Sequence, residues 1–116
     1  MSDQSFGKAK RLLKNWEFRK VYAQGHKKAL EGLSAYWLKV SGDGPTRVGL
    51  SVGRKVANAV KRNKVKRRLR ELMRTYPQPL GVGYWLVLSA KPGCAAMDYE
   101  SLKKNLYPII DEVFKK

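Results

Sequence analysis

The chain has 116 residues, a formal net charge of +16 and 43% hydrophobic residues, with an isoelectric point near 10.2. That length allows one domain with a modest core. The apolar content excludes a disordered basic tail, and the self-repulsion of so many cations points to a polyanionic partner.

No apolar run approaches the roughly 18–20 residues a membrane span needs. Cys94 and His26 are each the only residue of their type, so neither an internal disulfide nor a familiar zinc arrangement is available. Both read as ordinary packing or surface-loop residues. Residues 1–10 read as a mobile basic leader without the apolar stretch of a signal peptide. The cytoplasm is the expected location, and residues 1–116 form a single domain with no repeat or linker.

A helix is expected from about Trp16 to Gln24, with Asn15 as N-cap and Gly25 as stop. Phe18, Val21 and Tyr22 share one of its faces. A strand follows from Ser34 to Val40 and is closed by the turn cluster Ser41-Gly42-Asp43-Gly44-Pro45. Arg47 to Val52 alternates and reads as its hairpin partner, with Val48, Leu50 and Val52 on one side. Asn58 then caps a helix from about Ala59 to Tyr76, ended by Pro77 and Pro79. Tyr84 to Leu88 is a compact apolar run suited to a buried central strand. After the turn Lys91-Pro92-Gly93, Asp98 caps a last helix whose Tyr99, Leu102, Leu106, Ile109, Ile110 and Val113 form one stripe. Pro108 lies inside it and is expected to kink or interrupt it. The order is helix, two or three strands, helix, strand, helix: a small α/β sandwich of one sheet with helices on it. The prior for its crossover is right-handed.

Ten Lys or Arg residues but one acid, Glu71, lie between Arg54 and Arg74. At about 100° per residue, Asn63, Lys66, Arg67, Arg70 and Arg74 fall in one stripe. Val65, Leu69, Leu72 and Met73 fall on the opposite, core side, with Lys61 and Arg68 at its flanks and Arg62 near Lys66. A merely solvated helix mixes signs and gains from Glu–Lys pairs. Here Arg62/Lys66, Lys66/Arg70 and Arg70/Arg74 repel, each by a few tenths of a kcal/mol, which a phosphate-rich partner would offset. Asn63 adds a donor and acceptor for a 2′-hydroxyl or base edge.

Phe18, Tyr22, Tyr36 and Trp37 are interleaved with Arg19, Lys20 and Lys39. They are either core or rings on which unpaired bases stack. Tyr36 and Trp37 must face opposite sides of their strand, and alternation alone puts Tyr36 inward and Trp37 outward.

The run Arg62-Asn63, Lys66-Arg67 and Arg70, preceded by Ala59, resembles the hallmark of the bacterial ribonuclease P protein family. Arg47-Val48-Gly49-Leu50-Ser51-Val52 also fits. So do Arg11-Leu12 with Asn15-Trp16-Glu17-Phe18, Val21-Tyr22 and Gly25, and, more weakly, Leu88-Ser89-Ala90-Lys91. The resemblance implies an α+β two-layer sandwich in the order α-β-β-β-α-β-α, ribosomal-protein-like, with a left-handed β-α-β crossover in place of the right-handed prior. It implies the protein subunit of a ribonucleoprotein whose catalyst is RNA, which cuts precursor tRNA with magnesium to make the mature 5′ end. It further implies that Arg62, Asn63, Lys66, Arg67 and Arg70 face the catalytic RNA, with Arg54 and Lys55 adding phosphate contacts. Phe18, Tyr22 and Tyr36 would line the cleft for the single-stranded 5′ leader, which puts Tyr36 in the cleft against the alternation reading. The partners implied are the catalytic RNA and precursor tRNA, with no membrane and no obligate protein partner.

No residue is expected to be catalytic or to bind metal, because Glu71 is the only acid between residues 45 and 95. A protein nuclease using two metals needs clustered carboxylates, so the Mg2+ would be held mainly by RNA. Two other readings compete: a structural ribosomal or RNA-chaperone protein, and a groove-reading DNA binder. The second is disfavoured by the scarcity of base-reading Asn and Gln in the stripe.

Overall fold

The computed structural model describes residues 11–114 except 13, 41, 43, 57 and 78–81. The expected basic leader 1–10, Ser41 and Asp43 of the turn cluster, and Pro79 lie outside the described residues. The elements are α1 Asn15–Gln24, β1 His26–Ala29, β2 Leu33–Lys39, β3 Arg47–Ser51, α2 Ala59–Arg74, β4 Tyr84–Ala90, a short 3-10 helix Pro92–Ala96, and α3 Tyr99–Phe114. The order is thus α-β-β-β-α-β-α with four strands in one sheet, arranged β1-β2-β4-β3.

The expected hairpin between β2 and β3 does not form. β2 pairs antiparallel with β1 and β4, while β3 pairs in parallel with β4. The connection after β2 is held instead by the start of β4: the Val40 amide donates to the Gly83 carbonyl (2.7 Å) and the Gly83 amide to the Gly44 carbonyl (2.9 Å). Gly83 adopts φ +78° there, and a Cβ on it would lie 2.8 Å from the Gly42 carbonyl oxygen, so the crossing requires glycine. Tyr-Trp-Leu-Val-Leu is the most apolar run in the chain, and it takes the centre because both of its faces can be covered there. α2 supplies the crossover between the parallel neighbours β3 and β4.

The main core lies on one sheet face. Leu33, Ala35, Val48, Leu86 and Leu88 pack there against Val65, Leu69, Leu72 and Met73 of α2 and Leu102, Leu106, Ile109 and Ile110 of α3. α3 runs from Tyr99 to Phe114 through Pro108, so the expected interruption does not occur. Pro108 is exposed, and the buried apolar residues on both sides of it anchor the two halves to the same core. The opposite sheet face is covered by α1 through a smaller cluster of Leu12, Val21 and Val87, with Phe18, Tyr36, Leu38 and Trp85 against it.

This second cluster reverses the alternation reading of Tyr36 and Trp37. Trp37 shares parity with Leu33 and Ala35 and packs toward the main core, while Tyr36 faces α1. The pattern misled because both faces of β2 are covered. α1 begins at Asn15, so Lys14 rather than Asn15 is the N-cap, and Glu17 accepts a hydrogen bond from the Lys14 amide at 3.0 Å. Gly25 ends the helix with ordinary extended φ. Its glycine is required by crowding: a Cβ would lie 2.5 Å from the Trp37 carbonyl oxygen. Among the described residues, no helix is long and apolar enough to cross a membrane.

Candidate nucleic-acid interface

α2 starts where Asn58 accepts a hydrogen bond from the Lys61 amide at 3.0 Å, which satisfies one of the helix's open donors. Val65, Leu69, Leu72 and Met73 are buried, and this fixes the rotation of the helix about its axis. Asn63 and Arg67 are thereby exposed, and Arg62, Lys66 and Arg70 half-exposed. Among the described residues, no acid forms an ion pair with these four cations; the ion pairs there are Arg47–Glu17 and Arg74–Glu71. A line of like charge on a core-anchored helix raises the local positive potential and attracts polyanions.

Two members of the basic run have other duties. Arg74, which periodicity puts in the stripe, is clamped by Glu71 through two hydrogen bonds. Arg68 donates to the Met97 carbonyl at 2.8 Å, tying α2 to the segment before α3. The stripe is therefore Arg62, Asn63, Lys66, Arg67 and Arg70. Arg54 and Lys55 are exposed in the turn between β3 and α2, extending the positive surface from the helix toward the sheet.

The aromatic residues gather on the α1 side of the sheet. Tyr22 meets Tyr36 edge-to-face, with ring centroids 4.7 Å apart, and remains 39% exposed. Lys27 Nζ lies 5.6 Å from the Tyr36 ring. Phe18 sits over Gly49, where a Cβ would come within 2.6 Å of the ring. Phe18 is thus both a cleft wall and a plug in the sheet, whereas Tyr22 is an open ring. Lys27 was not singled out by the sequence. Its signal was the exposed run His26-Lys27-Lys28, which lacks alternation because all of β1 is exposed.

A part-buried ion pair positions α1. The Arg47 guanidinium donates to Glu17 at 2.9 Å and to the Arg11 carbonyl at 2.9 and 3.2 Å. Glu17 is only 4% exposed, so loss of Arg47 would leave a buried carboxylate without its guanidinium counter-charge. The pair spans 30 residues, which no local pattern reveals.

The titratable groups with shifted pKa values lie away from the α2 stripe and the aromatic cleft. Cys94 is buried, and burial raises its thiol pKa while Arg68 works against the rise; a protonated, enclosed thiol is a poor nucleophile. Asp98 has a lowered pKa because its carboxylate accepts from the Ser101 amide, the cap of α3. Tyr76, at the far end of α2, is pushed up to about 12 by burial and by its hydrogen bond to Asp111. Among the described residues, no three His, Cys, Asp or Glu side chains come together to hold a metal ion.

The sequence profile of the family Ribonuclease P matches residues 6–113. The ribonuclease P protein component of Brevibacillus brevis is 37% identical over 100 residues, which is 86% of this chain and 79% of that protein. Its counterpart from Symbiobacterium thermophilum is 37% identical over 109 residues, 94% of this chain and 91% of that one. Among solved structures, the Staphylococcus aureus RNase P protein matches with a TM-score of 0.79 and 29% identity, over 93% of this chain and 100% of that one.

Proposed function

This chain belongs to the ribonuclease P protein family, and we propose that it holds two RNAs on two separate surfaces. The α2 stripe binds the catalytic RNA, and the cleft between α1 and the sheet binds the single-stranded 5′ leader of precursor tRNA. The observation that carries this reading is the stripe of Arg62, Lys66, Arg67 and Arg70, without acid partners among the described residues, on a helix whose other side is core.

Each surface suits its RNA. Folded RNA offers dense phosphate, which point charges and guanidinium forks bind, while Asn63 can meet a 2′-hydroxyl. An unpaired leader offers base faces, and Tyr22 and Tyr36 offer rings beside Lys27, a combination that tolerates any base sequence. Arg54 and Lys55, exposed in the turn that leads into α2, would add phosphate contacts.

Among the described residues no three His, Cys, Asp or Glu side chains come together to hold a metal ion, which supports assigning the Mg2+ to the RNA. The protein's contribution is electrostatic: by neutralising phosphates it lets the catalytic RNA close and keep its ions at lower free magnesium. Both RNA partners are cytoplasmic in this reading, and no protein partner is required.

The expected result concerns substrate choice. Adding the protein to a bacterial ribonuclease P RNA should raise affinity for precursor tRNA much more than for mature tRNA. Equal gains for both, measured by equilibrium binding, would remove leader recognition from the account.

A further inference from the structure

α1 has a second aromatic flank. At about 100° per residue, Trp16 and Lys20 lie roughly 160° around the helix from Phe18 and Tyr22, so the two pairs border opposite sides of it. On that far side, Trp16 meets Trp85 of β4 with ring centroids 5.7 Å apart and planes at 64°. Lys20 Nζ lies 5.8 Å and the Arg47 guanidinium carbon 5.6 Å from the Trp85 ring. Arg47 is fixed there by Glu17 and the Arg11 carbonyl. Trp16 itself is 51% exposed.

A half-exposed indole propped edge-on against a second indole, with two cations beside it, is a poor arrangement for a residue needed only for packing. Packing would bury the ring, and the cations lower the appeal of the patch to an apolar protein partner. A nucleobase suits it: its face stacks on an indole whatever its identity, and its phosphate meets Lys20. The formal charge of +16 draws the same class of ligand.

We propose that Trp16, supported by Trp85 and flanked by Lys20 and Arg47, is a second stacking site for an unpaired RNA base, on the side of α1 away from the Phe18–Tyr22–Tyr36 cleft. Together the flanks let one helix hold single-stranded RNA on both sides. The base could belong to the leader or to a single-stranded loop of the catalytic RNA, which offer the same chemistry.

The test uses the full chain carrying Tyr22→Ala and Tyr36→Ala, so that the first cleft's open rings are gone. A short unstructured oligoadenylate is the probe. Trp16→Leu, which keeps apolar packing against Trp85 but cannot stack, should lower its remaining affinity roughly tenfold. Trp16→Phe, which keeps a ring, should stay within about twofold of its parent. Unchanged binding in Trp16→Leu overturns the proposal. So do equal losses in both variants that track their melting temperatures, since that pattern belongs to packing.

The source of the base follows from Trp16→Leu in the otherwise native chain. A loss for precursor but not mature tRNA assigns the site to the leader, and a loss for the catalytic RNA alone assigns it there. Loss for neither overturns the site. The discrimination between precursor and mature tRNA by the native chain is measured separately, so this proposal and the leader-cleft reading fail independently.

Discussion

Replacing Arg62, Arg67 and Arg70 together with alanine is expected to weaken binding to the catalytic RNA roughly a hundredfold without destabilising the free protein. Arg67 is exposed, Arg62 and Arg70 are partly exposed, and none of the three has an acid partner among the described residues. Taking about 1 kcal/mol for each phosphate contact, three contacts amount to about 3 kcal/mol, or roughly two orders of magnitude. The salt dependence should flatten by about two to three units of log–log slope, at about 0.7–0.9 per phosphate. The effect on the free protein runs the other way. Removing these charges relieves the Arg62/Lys66 and Lys66/Arg70 repulsions, and alanine is the best helix former. Paired measurements of affinity against salt and of thermal melting decide the matter. A falling melting temperature with unchanged salt slope would show that these arginines serve the fold and not an RNA.

The second large effect belongs to the cleft. Tyr22→Ala combined with Tyr36→Ala should lower the affinity of the ribonucleoprotein for precursor tRNA by roughly ten- to a hundredfold, at about 1–3 kcal/mol per stacked base with some overlap between adjacent rings. Mature tRNA, which lacks the leader, should bind as before. These two rings meet edge-to-face at 4.7 Å. Because Tyr36 also packs against the buried cluster of Leu12, Val21 and Val87, the melting temperature of the double variant is measured beside its affinities. Phe18 is a poorer probe, since its ring also fills the space over Gly49. Equal losses for both tRNAs would place Tyr22 and Tyr36 among the packing residues.

The α2 stripe was legible in the sequence because a single physical rule governs it. The apolar residues Val65, Leu69, Leu72 and Met73 fix which way the helix faces, and Arg62, Asn63, Lys66, Arg67 and Arg70 are then left on its other side. The final helix was legible for the same reason, except at Pro108, where the interruption expected from proline does not occur. The ties of Arg68 to Met97 and of Arg74 to Glu71 were not legible. What the sequence hid was pairing. Ser41-Gly42-Asp43-Gly44-Pro45 has the composition of a hairpin turn, and turn residues satisfy a wide crossing as readily as a tight one. Only the demand that the most apolar strand be covered on both faces places β4 between β2 and β3. β1 was hidden because none of its four residues is buried, which leaves no alternation to read. Tyr36 and Trp37 were misjudged from a pattern that assumes one wet face, and family resemblance placed Tyr36 in the cleft where alternation did not. The Glu17–Arg47 pair and the Trp16–Trp85 contact join residues far apart in the chain, so only the folded arrangement brings them into view.

The division into a protein that grips and an RNA that cuts is tested most directly by cleavage at low magnesium. Precursor tRNA is mixed with a bacterial ribonuclease P RNA at a magnesium concentration where the RNA alone is nearly inactive, with and without this protein, and the mature 5′ end is quantified. The account predicts that the protein restores cleavage, and that the protein without the RNA produces none. Cleavage unchanged by the protein, or cleavage by the protein alone, would contradict it.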